Sequence, residues 1–209
     1  MARPRLISDE QILSVMRACV LEKGAQVSLD TVAAELGVTG PALLKRFGSR
    51  QELLIRALSP PENPVFIDHW AAGPDDRNLR EQLTERFTEM WDFFQEVVPC
   101  ISALRESGIA HDKLFQGKWK SPLRLLNAIT KWLDLAHDRG LVDVPSSDSV
   151  ATAMLGSVQT RAFTAHIAKV TYSAKSNREY LADLVELFCR ALAPRARRST
   201  AASPTRYSA

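Results

Sequence analysis

Apolar residues recur every three or four positions along most of the chain, which is the spacing of one face of an α-helix. The alternation of apolar and polar residues that marks a half-buried strand is nearly absent, and no Asn-Gly hairpin turn occurs. The pattern therefore predicts an all-α fold. Three short helices form a compact N-terminal unit, a fourth links it onward, and about five longer helices follow.

The first four predicted helices have clear start and stop signals. Ser8 and Ser49 each precede Gln or Glu by three residues, which is the spacing of a capping box, and Ser28 and Thr39 are further predicted caps. Three of these helices are followed by a glycine, the residue that most easily adopts a left-handed C-cap: Gly24, Gly37 and Gly48.

Prolines at 60, 61 and 64 close this first region, and the segment from there to Gly73 is predicted to be irregular. Pro99 is predicted to begin a new helix and Asn177 to cap the last one. The longer helices are expected at about residues 75–98, 99–108, 121–139, 147–170 and 177–193. The predicted domains are an N-terminal domain at 1–58, a helical C-terminal domain at 59–193, and a disordered basic tail at 194–209.

Composition agrees with a folded protein, because 45% of the 209 residues are apolar. No apolar run has the length of a membrane span or the form of a signal peptide, so a cytoplasmic protein is expected. The net charge of +3 is concentrated at the two ends: residues 1–58 hold eight basic and six acidic residues, and the tail holds four arginines and no acid. This distribution suits nucleic acid at one end of the molecule.

Residues 28–47 predict two short helices joined by a tight turn at Gly37. If Leu43 and Phe47 pack against the first of these helices, then Pro41 and Lys45 point the opposite way at 100° per residue. Such an outward face is what a helix-turn-helix protein presents to the major groove of DNA.

These residues resemble the DNA-binding domain of the TetR (tetracycline repressor) family. The resemblance lies within residues 8–58, about a quarter of the chain, and the rest agrees only in architecture. It implies an all-α homodimer with two recognition helices in successive major grooves and a ligand pocket in the C-terminal domain. Members of the family are usually repressors that a ligand releases from DNA. The matching residues are Val27-Ser28-Leu29-Asp30-Thr31-Val32-Ala33-Ala34-Glu35-Leu36-Gly37-Val38-Thr39, Pro41-Ala42-Leu43 and Phe47-Gly48-Ser49-Arg50-Gln51-Glu52-Leu53-Leu54.

The resemblance also implies a set of DNA contacts. The family usually has aromatic residues at the positions of Leu44 and Arg46; leucine donates no hydrogen bond but can touch a thymine methyl, and Arg46 supplies a phosphate contact by charge. Lys45 is then expected to make much of the direct contact with bases. The expected groove residues are Thr39, Gly40, Pro41, Ala42, Leu44 and Lys45; the expected phosphate contacts are Ser28, Arg46 and Arg50; and Arg3 and Arg5 form a flexible basic arm.

The aromatic residues of the C-terminal domain suggest an apolar cavity for a hydrophobic or amphipathic effector, although core packing explains most of them equally well. Arg161 is flanked by apolar residues. We expect it either to pair with a carboxylate, from an acidic residue or from a ligand, or to be an exposed arginine at an interface. The candidate ligand contacts are Trp70, Trp91, Phe94, Phe115, Trp119, Arg161 and Phe163.

A four-helix dimer interface is expected from the helices at about 147–170 and 177–193. Effector binding is expected to move the fourth helix, residues 49–58, and change the spacing of the recognition helices on a near-palindromic operator with half-sites ~34 Å apart. A helical adaptor without DNA binding and an enzyme are the alternatives; no catalytic residue, metal site or cofactor is assigned. The predicted dimer contacts are Val158, Ala162, Leu181, Leu184, Val185 and Phe188.

Overall fold

The computed structural model describes residues 7–61, 63–109 and 121–194, and all regular secondary structure within them is helical. The predicted all-α fold is therefore confirmed. The predicted arm residues Arg3 and Arg5 and the tail beyond Pro194 lie outside the described residues. The helices are α1 Asp9–Lys23, α2 Leu29–Leu36, α3 Gly40–Phe47, α4 Arg50–Leu58, α5 Val65–Ala71, α6 Leu79–Glu106, α7 Ser121–Asp138, α8 Ser147–Ile167 and α9 Ala174–Ala191.

Side-chain caps set the starts of the first four helices, as predicted. Ser8 and Gln11 form a reciprocal capping box at α1, and the hydroxyls of Ser28, Thr39 and Ser49 each accept the backbone N–H of the residue three positions later. These bonds satisfy amides that have no partner within their own helix. Because they depend only on residues close in sequence, the boundaries of these helices were predictable.

The segment between α4 and Gly73 contains a helix that the sequence analysis missed. Pro64 stands at the N-cap of α5, and Phe66, Ile67 and Trp70 are buried. With seven residues, α5 is too short to show a repeat of apolar positions. The three prolines that precede it therefore led to the prediction of an irregular segment. The expectation of an irregular segment here is wrong.

The expectation that Pro99 begins a new helix is also wrong, because α6 runs through it without interruption. Proline removes one backbone hydrogen bond and strains the preceding turn, at a cost of about 3 kcal/mol. Val97, Val98 and Cys100 are buried around it, and their burial offsets that cost. The last helix likewise differs from expectation: α9 begins at Ala174 with Ser173 as its cap, and Asn177 lies within it.

Buried residues form two separate clusters. The N-terminal cluster joins α1 to α4 and also takes in three residues of α6, namely Cys100, Ala103 and Leu104. The C-terminal cluster contains residues of α5, the first part of α6, α7, α8 and α9. One continuous helix thus belongs to both clusters, and packing crosses the predicted domain boundary at residue 58.

The residues predicted to form a dimer interface instead fill the C-terminal cluster, so that prediction is wrong. Each of them is at most 8% exposed in the single chain. α8 packs against α6 and α7, and α9 packs against α6, so their apolar stripes are covered within the same molecule. A stripe shows that a face is buried but not which neighbour buries it. The residues are Val158, Ala162, Leu181, Leu184, Val185 and Phe188.

None of the described helices combines the length and the apolarity needed to cross a membrane.

Candidate nucleic-acid interface and effector cavity

A glycine in the left-handed conformation forms the turn between α2 and α3. Gly37 has φ +66° and ψ +31°, and the N–H of Val38 donates to the carbonyl of Ala33 at 3.0 Å. A Cβ at this φ is strained, so glycine is the residue that allows α3 to start so soon after α2. Thr39 then caps α3, and Pro41 occupies its first turn.

α3 has a buried and an exposed side. Leu43 and Phe47 are buried in the N-terminal cluster, as predicted. Gly40 is buried as well, and a Cβ built there would lie 2.7 Å from Oδ1 of Asp30 in α2. The expectation that Gly40 faces the groove is therefore wrong: it lies against Asp30 of α2, and it offers no exposed side chain.

The exposed side of α3 is mostly apolar, and of its two cations Lys45 and Arg46 it is Lys45 that has no partner among the described residues. Pro41, Ala42, Leu44 and Lys45 are exposed, and the Leu44 side chain keeps 40% of its accessible area. Lys45 makes no ion pair or hydrogen bond with any described residue. These residues, with Thr39 at the helix start, form a continuous surface that we term the α3 face (Thr39, Pro41, Ala42, Leu44 and Lys45).

The two predicted hydroxyl contacts also lie at the surface. The Ser28 hydroxyl accepts the N–H of Thr31 at 3.1 Å and lies 2.9 Å from the Thr31 hydroxyl, and the Thr39 hydroxyl accepts the N–H of Ala42 at 3.4 Å. Both residues are exposed. A hydroxyl that accepts from a backbone amide can still donate its own proton outward.

The two predicted phosphate-binding arginines have partners within the protein. Arg46 donates to the carbonyl of Ile7 at 2.6 Å and forms an ion pair with Asp9. Arg50 is partly buried and donates to the carbonyls of Ala25 and Val27. Arg50 therefore holds the connection between α1 and α2 against the start of α4, a role that its place in the sequence did not reveal.

Arg56 on α4 is a basic residue near this surface that the sequence analysis missed. Its guanidinium lies 3.3 Å from Asp9 and stacks over the ring of Phe47 with 4.8 Å to the centroid. Asp9 thus connects Arg46 and Arg56. Arg56 follows the matched motif on the fourth helix, where no local signal marks it, and only the packing of α4 against α1 and α3 places it near the end of α3.

Two neighbouring cavities lie among the described residues of the C-terminal region. The outer cavity has a volume of about 750 Å³ and lies between α6, the end of α8 and the connection from α8 to α9. The inner cavity, of about 40 Å³, is lined almost wholly by apolar side chains of α5 to α8, and it shares Phe94 and Val98 with the outer one. A cavity of several hundred Å³ beside apolar walls is typical of small-molecule sites.

The predicted ligand residues divide between these cavities and the core. Trp91 lines the outer cavity, Phe163 the inner one, and Phe94 both. Trp70 lines neither: it is fully buried and packs edge-to-face on Trp132 with 5.6 Å between ring centroids. Its assignment as a ligand contact is therefore wrong, because core packing occupies the whole ring. The remaining two candidates, Phe115 and Trp119, lie outside the described residues.

Arg161 lies behind the wall of the outer cavity, enclosed by two tyrosines. Its guanidinium carbon is 3.8 Å from the ring centroid of Tyr172 and 4.3 Å from that of Tyr180. It also donates to the Ser176 hydroxyl at 3.1 Å and to Oδ1 of Asn177 at 3.4 Å. The side chain is partly buried, and its partners among the described residues are all uncharged.

Polar residues near the end of α8 also line the outer cavity, and the sequence analysis did not anticipate them. They show no repeat of aromatic positions, and they come from the last turn of α8, the following connection and the start of α9. The residues are His166, Lys169, Thr171, Tyr172 and Asn177.

Among the described residues, the largest network of ion pairs lies elsewhere, between α5 and the first half of α6. Arg86 is 3.2 Å from Glu85 and 3.3 Å from Glu89, and Glu89 is 2.6 Å from Nδ1 of His69. Hydrogen bonds from Arg77 lower the pKa of Glu85. Within the described part of the chain, no three His, Cys, Asp or Glu side chains are grouped to hold a metal ion. The network connects helices and borders neither cavity.

Comparison with known proteins supports the geometry of the N-terminal region. The model of the family described as bacterial regulatory proteins, tetR family, matches residues 12–57, which contain α2, α3 and the turn between them. A search of curated proteins finds no significant match.

Solved structures share the fold over nearly the whole chain. A TetR-family transcriptional regulator from Mesorhizobium loti is 13% identical, covers 88% of this chain and 96% of its own, and has a TM-score of 0.68. The fatty acid degradation regulator FadR from Bacillus halodurans is 13% identical with coverages of 88% and 96% and a TM-score of 0.59. FadR from Bacillus subtilis, in complex with stearoyl-CoA, is 12% identical with coverages of 85% and 97% and a TM-score of 0.61.

At these identities the structural likenesses show the fold alone, whereas the family match falls on the helix-turn-helix itself. The matched segment and the shared fold agree in indicating the same group of proteins. Residues 12–57 are thus similar to the tetR family of bacterial regulatory proteins, and the chain as a whole shares the fold of TetR-family transcriptional regulators.

Proposed function

We propose that this protein is a cytoplasmic, homodimeric transcriptional repressor that binds a near-palindromic operator and is released by a small molecule bound in the outer cavity. The observation that carries the proposal is the α3 face. It is exposed on a rigid, capped helix, and its lysine has no partner among the described residues. A helix presented in this way fits the major groove.

Dimerisation is supported by the outward side of α8. Ser149, Ala153, Gly156 and Thr160 recur at three or four residues, opposite the buried Val158. A Cβ built on Gly156 would meet no heavy atom within 4 Å, so nothing within this chain requires a glycine in the middle of the helix. Glycine costs a helix about 1 kcal/mol relative to alanine. Close approach of a second α8 across a two-fold axis accounts for it.

Two-fold symmetry then determines the form of the operator. Two identical α3 faces related by a dyad contact two inverted half-sites, which makes the site a near-palindrome. Half-sites about one helical turn apart, ~34 Å, or slightly more allow both faces to enter successive major grooves.

Effector control is supported by the position of α6. Val98 and Ser102 line the outer cavity, while Cys100, Ala103 and Leu104 on the same helix pack into the N-terminal cluster. α6 also contacts α1 and α4. A ligand that moves this part of α6 therefore acts directly on the helices that hold α3. Release requires only that the ligand bind the DNA-free state more tightly. The B. subtilis FadR complex with stearoyl-CoA supports a small-molecule effector at the level of the fold.

Replacing Lys45 by alanine is expected to weaken operator binding at least tenfold. Each half-site loses a cationic side chain at the base edges, and such contacts are worth about 1–3 kcal/mol. The measurement is fluorescence anisotropy with a duplex obtained by selection on the purified protein. Lys131→Ala, an exposed lysine on α7, is the matched control and should bind like the parent.

Selection that enriches no duplex, or a Lys45→Ala protein that binds as tightly as the parent, would show that this surface does not bind DNA. A helical adaptor would then be the better assignment. Binding should also weaken steeply as salt is raised, because contacts to phosphates release counterions.

The apolar part of the α3 face is expected to recognise thymine methyl groups. Leu44, Ala42 and Pro41 are exposed and donate no side-chain hydrogen bond, and apolar contact with the C5 methyl is the base-edge interaction open to such residues. Deoxyuridine in place of thymidine at one selected position per half-site should lower affinity several-fold. With Leu44→Ala the same replacement should have a smaller effect. Equal affinity for both duplexes at every thymine of the half-site would contradict this expectation.

A further inference from the structure

The outer and inner cavities adjoin each other, and the inner one is small and apolar. Phe94 and Val98 belong to the walls of both. The inner cavity, about 40 Å³, has room for roughly three water-sized groups, and Leu155, Gln159 and Phe163 line its side on α8. A flat ring system fits such a small cavity poorly, whereas an alkyl chain fits it well.

A positive charge with only uncharged partners among the described residues lies behind the wall of the outer cavity. Arg161 donates hydrogen bonds through Nε and Nη2 to neutral oxygens of Ser176 and Asn177, and two of these are long at 3.4 Å. Nη1 has no acceptor among the described residues. Burial raises the pKa of Tyr180, so its phenol, which donates to the carbonyl of Ser157 at 2.9 Å, supplies no negative charge. A partly buried cation with neutral partners favours an anion nearby.

Lys169 adds a second cation in an unusual conformation. It follows the end of α8 with φ +52°, in a turn where the N–H of Val170 donates to the carbonyl of Ala165 at 2.9 Å. Glycine is the usual residue at this position of a helix end, because a side chain there is strained. Lys169 lines the outer cavity and has no ion pair with a described residue. Among the described residues that line the cavity, Glu106 at the end of α6 supplies the only carboxylate.

We propose that the effector is an anionic amphiphile: a carboxylate near Arg161 and Lys169 on an unbranched alkyl chain that passes Phe94 into the inner cavity. This inference rests on the proposed effector role of the outer cavity. Tyr172 and Asn177 line that cavity and contact the Arg161 guanidinium, so its positive charge lies directly behind the wall that the headgroup would touch.

The test compares decanoate with decanamide, which has the same chain and no charge, by calorimetric titration of the full-length protein. Decanoate should bind at least tenfold more tightly than decanamide. Arg161→Met should remove most of that preference, and Arg161→Lys should retain part of it. Arg178→Met, an exposed arginine on α9, is the matched control and should leave both affinities unchanged. Decyl phosphate tests which anionic headgroup the site prefers. If decyl phosphate binds more tightly than decanoate, the proposed carboxylate is wrong and the headgroup is a phosphate.

Lys169→Gly keeps the proposal falsifiable if Arg161 variants fold poorly. Glycine suits φ +52°, so this variant should unfold at a higher temperature and yet bind decanoate several-fold more weakly. Leu155→Trp should fill the inner cavity and lower the affinity for decanoate more than the affinity for hexanoate.

Equal affinity for decanoate and decanamide, or binding of neither, would overturn the proposal. If the Lys169→Gly protein binds decanoate with unchanged affinity, Lys169 is not part of the binding site. Release of the operator is measured separately by anisotropy. If decanoate binds as expected and the operator remains bound, the ligand class stands and the proposed regulatory function fails.

Discussion

Replacing Gly156 by glutamate is expected to convert the protein from a dimer to a monomer and to abolish binding to the full operator. In the proposed dimer the two copies of α8 meet at Gly156, so the substitution places two like charges close together in a desolvated contact. Unpaired buried charges cost at least about 3 kcal/mol, which corresponds to a dissociation constant raised more than hundredfold. A monomer presents one α3 face and binds a single half-site weakly.

The substitution also has an expected effect in the opposite direction. Glutamate is a much better helix former than glycine, so the isolated chain should gain about 0.5–1 kcal/mol of stability. Loss of the dimer therefore cannot be mistaken for unfolding. Analytical ultracentrifugation and anisotropy provide the two measurements, and Asn127→Glu, which adds the same charge at an exposed position of α7, is the control. A Gly156→Glu protein that remains dimeric would place the interface elsewhere.

Trp132→Ala is expected to lower the free energy of unfolding by about 3–5 kcal/mol. Trp132 is fully buried in the C-terminal cluster and packs edge-to-face on Trp70. Removing it leaves a cavity at the contact between α5 and α7 that the surrounding helices cannot fill. The measurement is urea denaturation at one fixed protein concentration.

Trp132→Phe should lower the free energy of unfolding much less than Trp132→Ala does, since the indole N–H of Trp132 is buried and has no hydrogen-bond acceptor among the described residues. Phenylalanine keeps most of the ring and removes that unsatisfied donor. Leu123→Ala, at a side chain that is 68% exposed on the same helix, is the control and should change stability by less than about 0.5 kcal/mol. A loss below about 1.5 kcal/mol for Trp132→Ala would show that α7 repacks.

The N-terminal helix-turn-helix could be predicted because its signals are local. The four caps and the glycine turn at Gly37 act through hydrogen bonds between residues at most five positions apart. The inward direction of Leu43 and Phe47 follows from helical periodicity. Neither kind of signal depends on what lies elsewhere in the chain.

The placement of the charged residues was much less predictable. Arg46 and Arg50 were expected at phosphates from their positions alone, yet their guanidinium groups bond to carbonyls and a carboxylate from residues 23 or more positions away. Long, flexible side chains reach any acceptor within several ångströms. Local sequence does not define which acceptor that is.

The sequence by itself determined the helical class, the caps of the first four helices and the sequence motif of the α3 face, because each depends on a short repeat or a neighbouring side chain. The tertiary structure decided that α6 continues through Pro99, that Gly40 is buried and that the apolar stripes of α8 and α9 pack within one molecule. It also decided that residues of α6, α8 and the connection after α8 enclose one cavity. The physical reason is that burial is a property of the whole fold: a stripe, a proline or a loop lysine acquires its role from neighbours that are distant in sequence.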